Sequence, residues 1–142
     1  MTTTKYGHYI VREPLHQGKT TPKERRLYFN PKQVPGLGCH IEYNCQVGPL
    51  EMVKKPHVHA YNEMLFFIST NPLDFKDFDA EVEIYLGEEQ EKHIIHSSSM
   101  VFIPQGTPHG PLYFKKMNKP IILMTIYATD AENLTAAAYP SS

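Results

Sequence analysis

The sequence predicts an all-β domain of short strands arranged in two antiparallel sheets. Runs of four to eight apolar or β-branched residues recur along most of the chain. Clusters of Pro, Gly, Asn and Asp separate them, and little of the chain shows helical periodicity. Nine short strands suit two sheets better than one, because twisted sheets close or split as they widen.

The strands are expected at residues 26–29, 38–46, 51–57, 63–69, 80–86, 91–96, 100–104, 110–114 and 121–128. NPLDFKDFD, residues 71–79, holds a proline, an asparagine and three aspartates and reads as a surface loop. MLFFI and IILMTIY are apolar on both strand parities, whereas a strand with one solvated face should alternate. Both of their faces therefore need cover, from the N-terminal extension or from a second subunit, and a homodimer is the expected assembly. The chain divides into an extension at 1–33 that packs on the body or on a partner subunit, a β body at 34–128, and a tail at 129–142 expected to be a short helix or disordered and outside the core.

Composition bounds the function classes. At 142 residues with 41% hydrophobic content, the chain suits one domain with a genuine core. Formal net charge is −1, and Lys and Arg form no basic stripe, so no nucleic-acid partner is expected. The sequence contains no apolar run long enough to span a bilayer and no apolar stretch of signal-peptide type in MTTTKYGHYIVREPLHQ, which points to a soluble cytoplasmic protein without a membrane partner. Cys39 and Cys45 lie about 20 Å apart on an extended strand, too far for a disulfide, so two free thiols are expected. A phosphate-cradling glycine loop, a nucleophile elbow and a CxxC pair are all absent from the sequence.

The chemistry is concentrated in two motifs. His57, His59 and Glu63 form an HxHxxxE run, and Pro104, Gly106 and His109 follow as PxGxxH. Three imidazoles and one carboxylate suit a divalent first-row ion. Histidines two apart share a strand face, and Glu63 keeps the same parity if the strand continues or resumes after a short turn. Pro104 and Pro108 stiffen the loop that presents His109, and Gly106 permits its turn. A single histidine would ordinarily be a hydrogen-bonded core residue; four ligand types together say more. His93 and His96 are three apart and face opposite sides of a strand, while His8 and His16 sit in a polar stretch.

These residues resemble the two motifs of a small single-domain cupin. In the first motif the HxH and glutamate core is intact, with Glu51 and Thr70 at the positions of the flanking glycines and Gly48 nearby. In the second, Pro104, Gly106 and His109 match, with Ser98 in place of a glycine and Tyr113 in place of an asparagine. The resemblance covers about residues 40–128 and implies a jelly-roll β-barrel with His57, His59, Glu63 and His109 holding one metal ion, whether Fe, Mn, Zn, Ni, Co or Cu.

Parity places Val53, Leu65 and Phe67 on the inward face with the ligands. By family analogy the strand with Cys39, Ile41, Tyr43 and Cys45 lies across from them; its other face carries His40, Glu42 and Asn44. Tyr43 and His40 are therefore alternative pocket residues, and Tyr61, Gln105 and Tyr113 are the polar groups nearest the metal. Phe67, Phe102 and Met124 suit the core better than a substrate contact, with Phe67 kept as the apolar candidate of the pocket.

Four protein ligands leave positions open on an ion that accepts six, an arrangement suited to catalysis. With Fe or Mn, the resemblance to cupin dioxygenases implies bidentate binding of a small oxygen-bearing substrate and reaction with oxygen. With a non-redox ion, isomerisation, epimerisation or elimination follows, and Glu63 serves as ligand or as catalytic base. A small-molecule-binding cupin without catalysis is the third reading.

Overall fold

A computed structural model of the chain describes residues 4–140, so the outermost residues of the expected extension and tail, 1–3 and 141–142, lie outside the described residues. The strands are β1 (Arg26–Phe29), β2 (His40–Gln46), β3 (Leu50–Val53), β4 (His57–Val58), β5 (Glu63–Ser69), β6 (Ala80–Leu86), β7 (Glu91–Ile95), β8 (Ser99–Ile103), β9 (His109–Met117), β10 (Ile121–Tyr127) and β11 (Ala137–Ala138). One sheet runs β1-β2-β10-β5-β8; the other runs β11-β4-β9-β6-β7, with β3 also paired to β9. All named pairings are antiparallel, as the two-sheet expectation requires.

The sheets face each other across a core whose fully buried members include Phe67, Phe78, Phe114, Ile84 and Ile121. Alternation produces this core. Glu63, Leu65, Phe67 and Ser69 of β5 are buried while Met64, Phe66 and Ile68 between them are only half-buried. Residues 71–79 are more than a surface loop: Phe78 turns inward and is 1% exposed. Around it the Ser69 hydroxyl donates to the Asp77 carbonyl, and Asn71 Nδ2 donates to Asp77 Oδ2 at 3.0 Å.

Two expectations are corrected. The segment 51–57 is not one strand. It breaks between β3 and β4, where Pro56 supplies no N–H for a ladder. Among the described residues the tail is not helical: Ala137 and Ala138 pair with Val58 and His57 at one edge of the second sheet, both of them exposed. Part of the extension bonds within the chain. His16 N–H donates to the Arg26 carbonyl and Tyr28 N–H to the Pro14 carbonyl, and the strand at 26–29 belongs to the first sheet rather than to an appendage. Among the described residues no helix is long and apolar enough to cross a membrane.

Candidate metal centre

His57 and His109 are direct cross-strand partners on β4 and β9, which brings two residues 52 positions apart in sequence within ring contact. Their ring centroids lie 4.2 Å apart. The chain leaves β4 after Val58, bends at residues 60–61 and resumes as β5 at Glu63, so the carboxylate returns to the face shared by His57 and His59. The donor nitrogens of His57, His59 and His109 lie within 4.8 Å of one another. Glu63 Oε2 is 3.6 Å from His59 Nε2, and Oε1 is 3.5 Å from His109 Nε2.

Backbone carbonyls orient the rings. His59 Nδ1 donates to the Thr135 carbonyl at 2.8 Å, His109 Nδ1 to Thr107 at 2.9 Å, and His57 Nδ1 meets Lys55 at a longer 3.4 Å. An imidazole that donates through Nδ1 presents the Nε2 lone pair, which is the state of a metal ligand. His109 Nε2 is buried with no hydrogen-bond partner among the described residues. Leaving such an atom unsatisfied costs about 1–3 kcal/mol, and a cation at the centre of the cluster would relieve it. The donor set therefore fits a metal ion.

Charge and burial agree with that fit. Burial holds the His109 imidazole down to about 4 and lowers His57 as well, so both stay neutral donors near neutral pH. Burial, reinforced by Glu42, pushes the Glu63 carboxyl up to about 7. A nearby cation reverses that penalty.

Two glycines hold the motifs together. Gly106, at φ +77°, donates its N–H to the His59 carbonyl at 2.9 Å and thereby ties the second motif to the first. Gly110, at φ +101°, lets β9 approach the chain before β4; a Cβ there would come 3.0 Å from the Lys55 carbonyl oxygen and 3.1 Å from Val53 Cγ1.

The cluster opens into a cavity of about 600 Å³. Its walls differ. Val53, Leu65, Ile84, Leu112 and Leu123 form an apolar side, while Arg26, Glu42, Asn44 and Thr125 form a polar one, with Tyr127 beside the histidines. Arg26 donates to Glu42 Oε1 at 2.7 Å and, through its other terminal nitrogen, to His16 Nδ1 at 2.8 Å. Gln17–Thr21 from the extension and Leu134 and Ala136 from the tail rim the opening.

The register left open at sequence level is decided by β2 pairing, in which Glu42 lies opposite Thr125 and Asn44 opposite Leu123, so the even-numbered residues face inward. Several expected substrate residues are therefore misplaced. Tyr43 points outward and is 38% exposed. His40 has inward parity but is engaged by Tyr28 Oη at 2.7 Å and the Ala131 carbonyl at 2.8 Å, and it lines a separate cavity of about 430 Å³. Phe67 is wholly buried against Phe114 in the core. Tyr113 lies on the outer face of β9 beside Tyr85, because its neighbours Leu112 and Phe114 take the inward positions. Gln105 is an exposed loop residue whose N–H donates to Asn62 Oδ1. Tyr61 stacks on His59 at 4.8 Å but supports the ring from behind and does not line the cavity. Phe102 and Met124 are outward-facing, not core. His93 is an exposed strand residue engaged by Glu91. Sequence reading missed Arg26, Tyr127 and the tail; only pairing across the sheets brings them to the site.

No family model matches the chain, and no curated protein sequence does. Solved structures do resemble it. An uncharacterised conserved protein with a double-stranded β-helix domain from Klebsiella pneumoniae superposes with TM-score 0.57 at 13% identity, over 97% of each chain. Oxalate oxidase in complex with the substrate analogue glycolate gives TM-score 0.55 at 12% identity, over 90% of this chain and 63% of that one. At these identities the likeness is one of fold, the double-stranded β-helix.

Proposed function

Since the chain has the cupin fold, we propose that it is a metal-dependent enzyme that holds one divalent first-row ion through His57, His59, Glu63 and His109 and acts on a small oxygen-bearing organic substrate, with dioxygenase-type chemistry favoured. One observation carries the reading: three imidazoles, each with Nδ1 facing a backbone carbonyl, converge their remaining nitrogens beside a buried carboxylate at the end of a cavity. When bound, a redox-capable ion supplies electron transfer to oxygen, and a non-redox ion supplies Lewis acidity.

The protein's own residues do the rest. The apolar wall of Leu65, Leu112 and Leu123 excludes water from one side of the substrate, while Glu42, Asn44 and Thr125 offer acceptors and donors to its polar end. Burial raises the Tyr127 phenol well above its ordinary range, so it remains a neutral hydrogen-bond donor next to Glu63. An isomerase or lyase reading differs in asking Glu63 to accept and return a proton rather than to hold the ion. Oxalate oxidase has the same fold and binds a small oxygen-rich acid, which supports the substrate class by analogy alone. The free Cys39 and Cys45 are consistent with a reducing, cytoplasmic setting.

The deciding experiment is elemental analysis of the purified protein combined with aerobic and anaerobic turnover of small diketones, catechols and keto acids. Bound Fe or Mn with oxygen uptake supports the oxygenase; Zn, Ni or Co with oxygen-independent turnover supports the isomerase or lyase. Absence of bound metal from protein challenged with each ion would sink both.

Metal affinity should depend on pH with a defined sign. Below pH 7 the unloaded Glu63 is protonated, so an incoming ion displaces its proton, and this group makes affinity rise with pH up to about 7. His109, already neutral above about 4, adds no slope in that window. Competition with a chromophoric chelator between about pH 5 and 8 reads this out; Glu63→Gln should make the curve shallower, and an unchanged slope in that variant would assign the proton elsewhere.

The tail makes a second prediction. Deleting residues 134–142 removes the Thr135 carbonyl that orients His59 and should weaken metal binding about 10–100-fold, the range for lost partners of ligating histidines. An unchanged dissociation constant would show that the carbonyl is dispensable.

A further inference from the structure

Cross-strand register fixes where the polar wall of the cavity stands relative to the histidine cluster. Glu63 on β5 lies opposite Tyr127 on β10, and the next inward row across the sheet is Leu65, Thr125 and Glu42. Glu42 therefore sits one row along and two strands over from Glu63, about 12 Å between Cα atoms at ordinary strand spacing. Asn44 follows it on the same face of β2, and both side chains line the cavity.

Each of these two side chains is held at one end and free at the other. Arg26 donates to Glu42 Oε1 at 2.7 Å, and among the described residues nothing donates to Oε2. Gln46 Nε2 donates to Asn44 Oδ1 at 2.6 Å and to Thr21 Oγ1 at 2.8 Å. That contact fixes which end of the Asn44 amide is spent. Its Nδ2 donates to no group among the described residues, although the residue is only 5% exposed.

Charge narrows what this pair can receive. Arg26 is not a free anion clamp, because one terminal nitrogen is committed to Glu42 and the other to His16, at 2.8 Å to Nδ1 and 3.3 Å to the carbonyl. Lys19 lies at the rim and is exposed. A carboxylate arriving here would meet the Glu42 carboxylate, and an ammonium would meet the Asn44 N–H donors and the Arg26 guanidinium. A hydroxyl answers both residues at once, donating to Glu42 Oε2 and accepting from Asn44 Nδ2.

We propose that Glu42 and Asn44 are specificity residues that read a hydroxyl at the end of the substrate remote from the histidines. The substrate class is then a small hydroxylated carbonyl compound, not a dicarboxylate. This assignment rests on the metal-dependent reading above, which places the other, oxygen-bearing end at the cluster. A cavity of about 600 Å³ has room for a ligand that reaches both.

The test is calorimetric titration of the metal-loaded protein with hydroxamates, which chelate through two oxygens. The probes carry chains of about three to five carbons ending in hydroxyl, methyl, ammonium or carboxylate. At the best-fitting length the hydroxyl probe should bind about 10- to 100-fold tighter than the other three, the range for a hydrogen bond to a charged group. Glu42→Gln removes the repelling charge and should tighten the carboxylate probe about tenfold. Asn44→Leu, similar in size but without a donor, should cut the preference for hydroxyl over methyl about fivefold. Should Glu42→Gln unfold the chain by leaving Arg26 unpaired, Asn44→Leu decides the matter, with far-UV circular dichroism as the check on folding. A protein that takes up no metal overturns the metal-dependent reading and this assignment with it. A metal-loaded protein whose hydroxyl probes bind no tighter than the methyl probes at every length, or a preference that the folded variants leave intact, overturns the hydroxyl assignment alone.

Discussion

His59→Ala is expected to reduce bound metal from one equivalent to near none, with affinity falling by more than about 100-fold. The ring presents one of three converging nitrogens and is itself fixed by the Thr135 carbonyl, so its removal deletes a ligand and frees the tail that rims the cavity. Losing only an outer partner of such a ligand costs about 10–100-fold, which sets the lower limit for losing the ligand. The fold should survive, because the core beneath is made by Phe67, Phe114 and Ile84, not by the histidines. His40→Ala is the matched control: also a buried histidine, but engaged by Tyr28 and Ala131 away from the cluster. Equal metal content in both variants would overturn the ligand assignment.

Phe67→Ala is expected to destabilise the protein by about 3–5 kcal/mol, the usual range for truncating a fully buried phenylalanine. The ring is 0% exposed and packs against Phe114 with centroids 6.1 Å apart, bridging the two sheets. Neither sheet can close on the cavity left behind without disturbing strands that also carry the metal cluster, because β5 begins at Glu63 and β9 at His109. Urea unfolding of the metal-free protein measures the effect. A loss below about 1 kcal/mol, with substrate binding impaired instead, would return Phe67 to the pocket.

The ligand motif was legible in the sequence because its geometry is local. His57 and His59 share a face by spacing alone, and Gly106 and the prolines mark the turn that delivers His109. Most strands were legible for the same reason, with β1, β5 and β6 beginning and ending at the expected residues.

What the sequence determined by itself, then, is what periodicity and short spacing encode: a β chain with a histidine and carboxylate cluster on one strand face. The tertiary structure alone decided which side chains surround that cluster. A one-residue slip in register exchanges the two faces of a strand, and nothing in HIEYNCQ says whether Tyr43 or Glu42 and Asn44 face inward until β2 pairs with β10. The same holds for contacts closed over long stretches of chain. Arg26 reaches the cavity through β1, and Thr135 reaches His59 from 76 residues away, because antiparallel pairing brings distant segments together through backbone hydrogen bonds that carry no residue-specific signal.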